Sequence, residues 1–158
     1  MNNQQEMLRF YQRHARIYDL TRWLFLRKRN DAAAACALNT GDTVMEIGCG
    51  TGYNFFRLQQ AVGNSGQLIG VDLSSAMLAR AEQRISRQGW QNVALIRTNG
   101  ETVQVDDRMD AVLFSYSLSM ISDWQAAVTG AVRQLKPGGR LVVLDFAGFY
   151  KTGRDPQS

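Results

Sequence analysis

The chain carries only two cysteines, one histidine and no apolar run of about 20 residues. Each scarcity removes a class of protein. Cys36 and Cys49 are too few for a disulfide framework, so a reducing cytoplasm is the expected setting. Nothing near Cys49 has metal-ligand or redox-pair spacing, and no metal is expected. No segment is long and apolar enough to span a bilayer, and the polar start MNNQQEMLRF lacks the apolar core of a cleavable signal peptide. Repeats, low-complexity tracts and internal linkers are also missing. What is present is 158 residues, 45% of them hydrophobic, which suits one domain over residues 1–158 with a real core.

Acidic residues are scarce at the start of the chain. Residues 1–29 hold seven Arg and Lys against Glu6 and Asp19, a net +5, and the remainder is close to neutral at −1. Basic character confined to one segment argues against a nucleic-acid binder. The segment also contains the apolar block WLFL, and residues 9–29 have the composition of a peripheral membrane contact or of a lid over a ligand. The competing reading buries Trp23, Phe25 and Leu26 against a sheet and leaves the arginines in water.

Met7, Tyr11, His14 and Tyr18 recur at helical spacing and predict a helix over residues 4–20. A second helix is expected through RNDAAAACAL, stopping near Asn39 to Gly41, which makes 1–40 an N-terminal helical segment. From there strands and helices alternate. TVMEIG, QLIGVD, NVALIRT, MDAVLFSY and RLVVLDF read as strands. Residues 54–62, SSAMLARAEQRISRQG with a Ser cap, and WQAAVTGAVRQL before the turn KPGG read as helices. Apolar strands alternating with amphipathic helices imply βαβ units and a doubly wound α/β domain with about five parallel strands. Residues 41–146 form its core and 147–158 a tail. Asp106, Asp107 and Asp110 read as a solvated turn before a strand.

The stretch VMEIGCGTGYNF carries the site. A strand ends at Gly48, Gly50 and Gly52, where a Cβ is expected to collide with a ligand lying across the turn. Asp72 ends the second strand twenty positions after Gly52, and a carboxylate there can accept hydrogen bonds from both hydroxyls of a ribose. A dinucleotide fingerprint places a third glycine at position 53, which is Tyr53. Glu46, two residues before the loop, opposes a pyrophosphate and favours a ligand carrying an ammonium group. NAD is therefore disfavoured and S-adenosylmethionine favoured.

EIGCGTG, GVDLSSAML, MDAVLFSYSLSMI and LKPGGRLVVLDF occur in that order, and with them residues 40–146 resemble the class I S-adenosylmethionine-dependent methyltransferases. Within that class the chain is most similar to the ubiquinone/menaquinone-biosynthesis and lipid-headgroup N-methyltransferase group. The resemblance implies that Glu46 and the backbone of Gly48 hold the methionine end of the cofactor. It implies that Gly50 and Gly52 give the cofactor room, with Cys49 and Thr51 between them, and that Asp72 binds its ribose. Leu73 and Met77 then pack against adenine. Asn99 stands where the family commonly has Asp, followed by Gly100 and Glu101, and its carbonyl accepts from the adenine amino group. Ser115 and Tyr116 face the methionine portion and the transferred methyl, and Tyr18 joins them.

Methyl transfer asks a protein to align a nucleophile and strip it of water. Tyr116 and Tyr18, with Tyr11, are candidates for an aromatic wall beside an amine acceptor, and Tyr116 and Tyr18 are the expected catalytic groups. His14 reads as a packed or solvated helix residue before it reads as a base. FSYS ends the fourth strand instead of an Asn-Pro-Pro-Tyr type sequence, which counts against planar amide or DNA-base nitrogens as acceptors. The expected acceptor is a small molecule or a lipid headgroup. The family's helix and antiparallel strand pair have no room in the 12 residues after Phe146, so strand 140–146 is expected to be an edge covered in a homodimer, unless the chain is truncated. A cofactor-binding module without a complete acceptor site, and an NAD-dependent oxidoreductase, are the alternatives.

Overall fold

Three of the predicted strands, TVMEI, QLIGVD and MDAVLFS, are apolar nearly throughout, and they become the adjacent central strands of one sheet. A parallel strand covered on both faces has little place for alternating polar residues. The computed structural model of the chain describes residues 26–145. Tyr11, His14, Tyr18 and most of the basic segment 9–29 lie outside the described residues, as does the tail.

A helix, α1, covers residues 26–35. It is followed by β1 (Thr43–Ile47), α2 (Phe55–Val62), β2 (Gln67–Asp72), α3 (Ser75–Gln88), β3 (Val93–Arg97), β4 (Met109–Ser115), a 3-10 turn (Leu118–Met120), α4 (Trp124–Gln134) and β5 (Leu135–Leu144). The five strands are parallel in the order β3-β2-β1-β4-β5. The chain winds outward from β1 to β3, then crosses back to β4, so the order reverses between β1 and β4. In such sheets the crevice beyond the carboxyl ends of the strands at the reversal collects ligands. Among the described residues no helix is long and apolar enough to cross a membrane.

Strand alternation divides the core in two. Val44, Leu68, Ala111 and Leu113 pack under α1, α2 and α3 with Phe55, Leu58 and Leu78, whereas Met45, Ile69, Val112 and Phe114 pack against Ala127 and Ala131 of α4. The helix ends carry their own signals. Ser74 Oγ accepts from the Met77 N–H at 3.3 Å and opens α3, and Gly89 closes it in the left-handed region at φ 68°.

Three expectations need correction. The helix expected to reach Asn39–Gly41 ends at residue 35, because Ala37 turns to φ 47° and Asp42 Oδ2 captures the Asn39 N–H at 2.7 Å. KPGG is not a turn before the last strand. It lies within β5 as a bulge between the pairs Met109–Leu135 and Ala111–Arg140, with Gly138 at φ 80°. Asp110 belongs to β4 and not to a solvated turn. It accepts from the Thr43 N–H at 2.7 Å and from Lys136 Nζ at 2.8 Å, tying β1, β4 and β5 together. Burial alone would raise its carboxyl, but the hydrogen bonds from Lys136 and Thr43 and the lysine charge outweigh it and hold the group below its usual range.

Phe55 fixes where the glycine loop leaves the sheet. Its fully buried ring fills the space that a Cβ on Gly70 would need, 2.5 Å from its Cζ, with Leu95 Cδ2 at 3.0 Å and Cys49 Sγ at 3.1 Å. Gly70→Ala is expected to destabilise the fold by about 1–3 kcal/mol through overpacking. A urea unfolding midpoint unchanged from the parent chain would contradict this packing.

Candidate functional site

Register brings the acidic and polar residues of three strands to one place. Ile47 pairs with Val71 on one side and Phe114 on the other, so Asp72 and Ser115 stand one step further along, flanking Gly48. Glu46, Asp72 and Ser115 share the alternation of Val44, Leu68 and Ala111, and therefore the sheet face covered by α1, α2 and α3. Two-residue periodicity alone puts three chemically able side chains on one side of the carboxyl edge.

The glycines between them serve three different needs. A Cβ on Gly48 would lie 2.3 Å from Ser117 Cβ, since the turn after β4 closes onto the loop and Ser117 Oγ donates to Ile47 O at 2.7 Å. A Cβ on Gly52 would lie 2.6 Å from the Phe55 ring. Of the three, only Gly50, at φ 55°, would aim a Cβ into space left open by the described residues. The expected collision with a ligand therefore applies to Gly50 alone, and protein packing explains the other two. The N–H groups of Gly48 and Cys49 both donate to Val71 O, at 2.8 and 2.9 Å, which leaves the Gly48 carbonyl as its only polar group for a ligand.

Asp72 holds the loop as well as facing it. Its Oδ2 accepts from the Gly50 N–H and its Oδ1 from the Ser74 N–H, both at 2.8 Å. Each oxygen keeps a second lone pair. The carboxylate is thereby oriented before any ligand arrives, directly beside the open space over Gly50.

Glu46 lies beneath the loop, fully buried, and is not part of the cleft wall. Its Oε1 accepts from Asn54 Nδ2 at 2.6 Å, while Oε2 is buried without a partner among the described residues. Burial pushes its carboxyl up to about 7 from 4.5, with Asp72 adding to the rise. The Asn54 hydrogen bond and the Arg29 charge oppose it. Ser115 Oγ is a second buried polar atom without a partner, and Ser115 does line the cleft. Burial also raises both thiols, that of Cys36 to about 12, so neither is a nucleophile at neutral pH.

The cleft itself encloses about 840 Å³, within the range of small-molecule sites. Of the expected residues, Gly48, Cys49, Gly50, Thr51, Asp72, Leu73, Met77, Asn99, Gly100, Glu101, Ser115 and Tyr116 line it. Gly52 and Glu46 stand behind this wall, and Tyr18 lies outside the described residues. Leu73 and Met77 are exposed apolar surface at the mouth. The loop from β3 to β4 contributes Asn99, whose Oδ1 accepts from the Glu101 N–H at 3.1 Å, and Glu101 in turn accepts from the Asp123 N–H at 2.9 Å.

Tyr116 adopts φ 54°, rare for a bulky residue, and its N–H donates to Leu144 O at 2.6 Å. Such strain persists where surrounding structure enforces it and clusters at functional sites. Burial raises its phenol above the ordinary value, partly offset by Arg29, so it stays protonated at neutral pH. Arg29, Tyr53 and Ser117 also line the cleft and Asn54 holds Glu46 behind it, and none of the four was among the expected site residues. Asn54 left a signal, standing eight positions after Glu46 at a helix start, whereas Arg29 left none beyond its membership of a basic segment.

The buried carboxyl of Glu46 makes stability depend on pH. A group that titrates higher in the folded chain binds protons preferentially when folded. Its contribution is greatest below about 4.5, declines as pH rises to about 7 and is constant above. Glu46→Gln, which keeps the Asn54 hydrogen bond, is expected to match the parent chain at acid pH and to exceed it by roughly 3 kcal/mol above neutrality. Thermal unfolding of both chains across this range checks it. A difference independent of pH would contradict the assignment.

The ubiE/COQ5 methyltransferase family model matches residues 15–152. The chain is 34% identical over 148 residues to a demethylmenaquinone methyltransferase of Tropheryma whipplei, covering 90% of this chain and 59% of that one. It is 31% identical over 121 residues to a ubiquinone/menaquinone biosynthesis C-methyltransferase of Francisella tularensis subsp. novicida, covering 75% and 48%. The chain thus spans about half the length of the curated relatives it matches. Among solved structures it superposes on the YcgJ protein of Bacillus subtilis with a TM-score of 0.66 at 26% identity, over 72% of this chain and 47% of that one. By the extent of the family match and the identity to these relatives, the chain belongs to the ubiE/COQ5 methyltransferase family.

Proposed function

We propose that the protein transfers a methyl group from S-adenosylmethionine to a ring carbon of a quinone precursor. The observation that carries the cofactor half is the oriented Asp72 carboxylate beside the open space over Gly50. A ribose presents two hydroxyls to such an acceptor, and the unfilled Cβ direction at Gly50 leaves room for what the ribose carries. Leu73, Met77 and Ile121 supply apolar walls for adenine, and Asn99 and Glu101 supply polar groups at the same end. The unpartnered hydroxyl of Ser115, in the cleft wall, matches a ligand that brings its own polar groups. A buried carboxyl under the loop and Tyr53 in place of a third glycine weigh against a dinucleotide.

The acceptor half rests on the relatives, whose names state a demethylmenaquinone substrate and a C-methyltransferase of ubiquinone and menaquinone biosynthesis. The amine or lipid-headgroup acceptor expected from the sequence has no support among them. S-adenosylmethionine, when bound, supplies an electrophilic methyl whose sulfur leaves as a neutral thioether. The chain's part is to hold the acceptor in line and keep water out. Tyr116, pinned by Leu144 and protonated, offers a ring face and a phenol at the end of β4, and Met120 lines the same cleft. The new bond forms at the ring carbon, which then loses its proton.

Incubation with methyl-labelled S-adenosylmethionine and a reduced demethylmenaquinone analogue in detergent tests the proposal. Stoichiometric S-adenosylhomocysteine and ring-methylated quinone are expected, and Asp72→Ala should lower the rate at least tenfold at subsaturating cofactor. Tight cofactor binding with no transfer would instead favour a binding module, and an N- or O-methylated product would sink the ring-carbon assignment.

A further inference from the structure

Among the described residues Arg29 is the only basic side chain in the wall of the cleft, where the acidic ones are Asp72 and Glu101. It comes from α1, and its guanidinium carbon sits 5.0 Å from the centroid of the Tyr53 ring and 5.2 Å from that of Tyr116. The two rings belong to the loop after β1 and the turn after β4, the loops that meet at the strand-order reversal. No carboxylate among the described residues lies within ion-pairing distance of Arg29. A cation held over two aromatic faces is fixed in place without being neutralised. Its planar donors stay available for a bidentate acceptor.

Charge is therefore graded along the cleft. Asp72 and Glu101 make one end negative, and Arg29 makes the end between the two loops positive. Near that positive end, under the loop, lies the unpartnered carboxyl oxygen of Glu46, close enough to Arg29 for the guanidinium charge to stabilise its ionised form. The guanidinium in the cleft wall complements a carboxylate such as the one an amino acid carries.

We propose that Arg29, clamped between Tyr53 and Tyr116, binds the α-carboxylate of the cofactor's methionine portion and so sets which way the cofactor lies in the cleft. This rests on the S-adenosylmethionine reading and adds a residue to it. With the carboxylate on Arg29 and the ribose on Asp72, the methyl-bearing sulfur falls between them, beside Ser115 and Tyr116. The reverse orientation would put the carboxylate against Asp72 and Glu101. Because Arg29 is delivered by α1, cofactor binding also fastens that helix to the sheet edge.

Calorimetric titration separates this role from a general effect on the cleft. The ligands are S-adenosylhomocysteine, which has the carboxylate, and 5′-methylthioadenosine, which keeps adenosine and the thioether but lacks the amino acid. Arg29→Ala is expected to weaken S-adenosylhomocysteine about ten- to hundredfold and to leave 5′-methylthioadenosine within about twofold. Arg29→Lys should fall between, because it keeps the charge without the planar fork. It also provides the reading if the alanine variant fails to fold. Equal losses for both ligands, or no loss for either, would overturn the proposal. A parent chain that binds neither ligand would overturn the cofactor reading itself, a result distinct from either of those.

Discussion

Everything in the site is referred to the carboxylate of Asp72. It takes the Gly50 N–H from the loop after β1 and the Ser74 N–H from the start of α3, so one side chain joins the end of β2 to both segments that enclose the cleft. Hydrogen bonds to a charged acceptor are the strong ones in a protein, and here two of them converge from different elements. The loop is thus held in a left-handed conformation that favours glycine at Gly50, and the acceptor oxygens are aimed before a ligand arrives. In the proposed cofactor site, ligand recognition and loop architecture use the same atoms. Removing the carboxylate would therefore loosen the loop as well as remove a contact.

The sheet decides why this tie occurs where it does. Central strands buried on both faces disfavour charge in their middle, so their acids stand near strand ends, Asp72 at the carboxyl end of β2 and Asp110 near the amino end of β4. Glu46, one residue inside β1, is fully buried, and it is kept there by Asn54 at the start of α2 and by a raised proton affinity. Such a group is costly to the fold at neutral pH, where its ionised form is buried with one oxygen lacking a partner among the described residues. Its burial lowers stability at neutral pH relative to acid pH.

The central strands and both long helices were legible in the sequence, because their signals are local. QLIGVD, MDAVLFS and the Ser74 cap need only neighbouring residues to be read. Asp72 and the glycine loop were legible for the same reason. What escaped depended on partners far apart in the chain. The bulge at KPGG follows from pairing with β4, and the Asp110–Lys136 pair joins residues that only the sheet brings together. The real reasons for Gly48 and Gly52 are Ser117 and Phe55, contacts that no motif spacing shows. Arg29 read as one of seven basic residues near the start, and only the docking of α1 sets it over Tyr53 and Tyr116.

Family membership, the oriented acid and the open space over Gly50 all bear on one claim, that the cleft holds S-adenosylmethionine and not a dinucleotide. Crystals grown with S-adenosylhomocysteine, and in parallel with NAD, test it most directly. The account predicts density for the first ligand with its ribose hydroxyls within hydrogen-bond distance of Asp72 and its sulfur beside Ser115 and Tyr116, and an empty cleft for the second. An NAD pyrophosphate seated over Gly50, or an S-adenosylhomocysteine ribose away from Asp72, would contradict it.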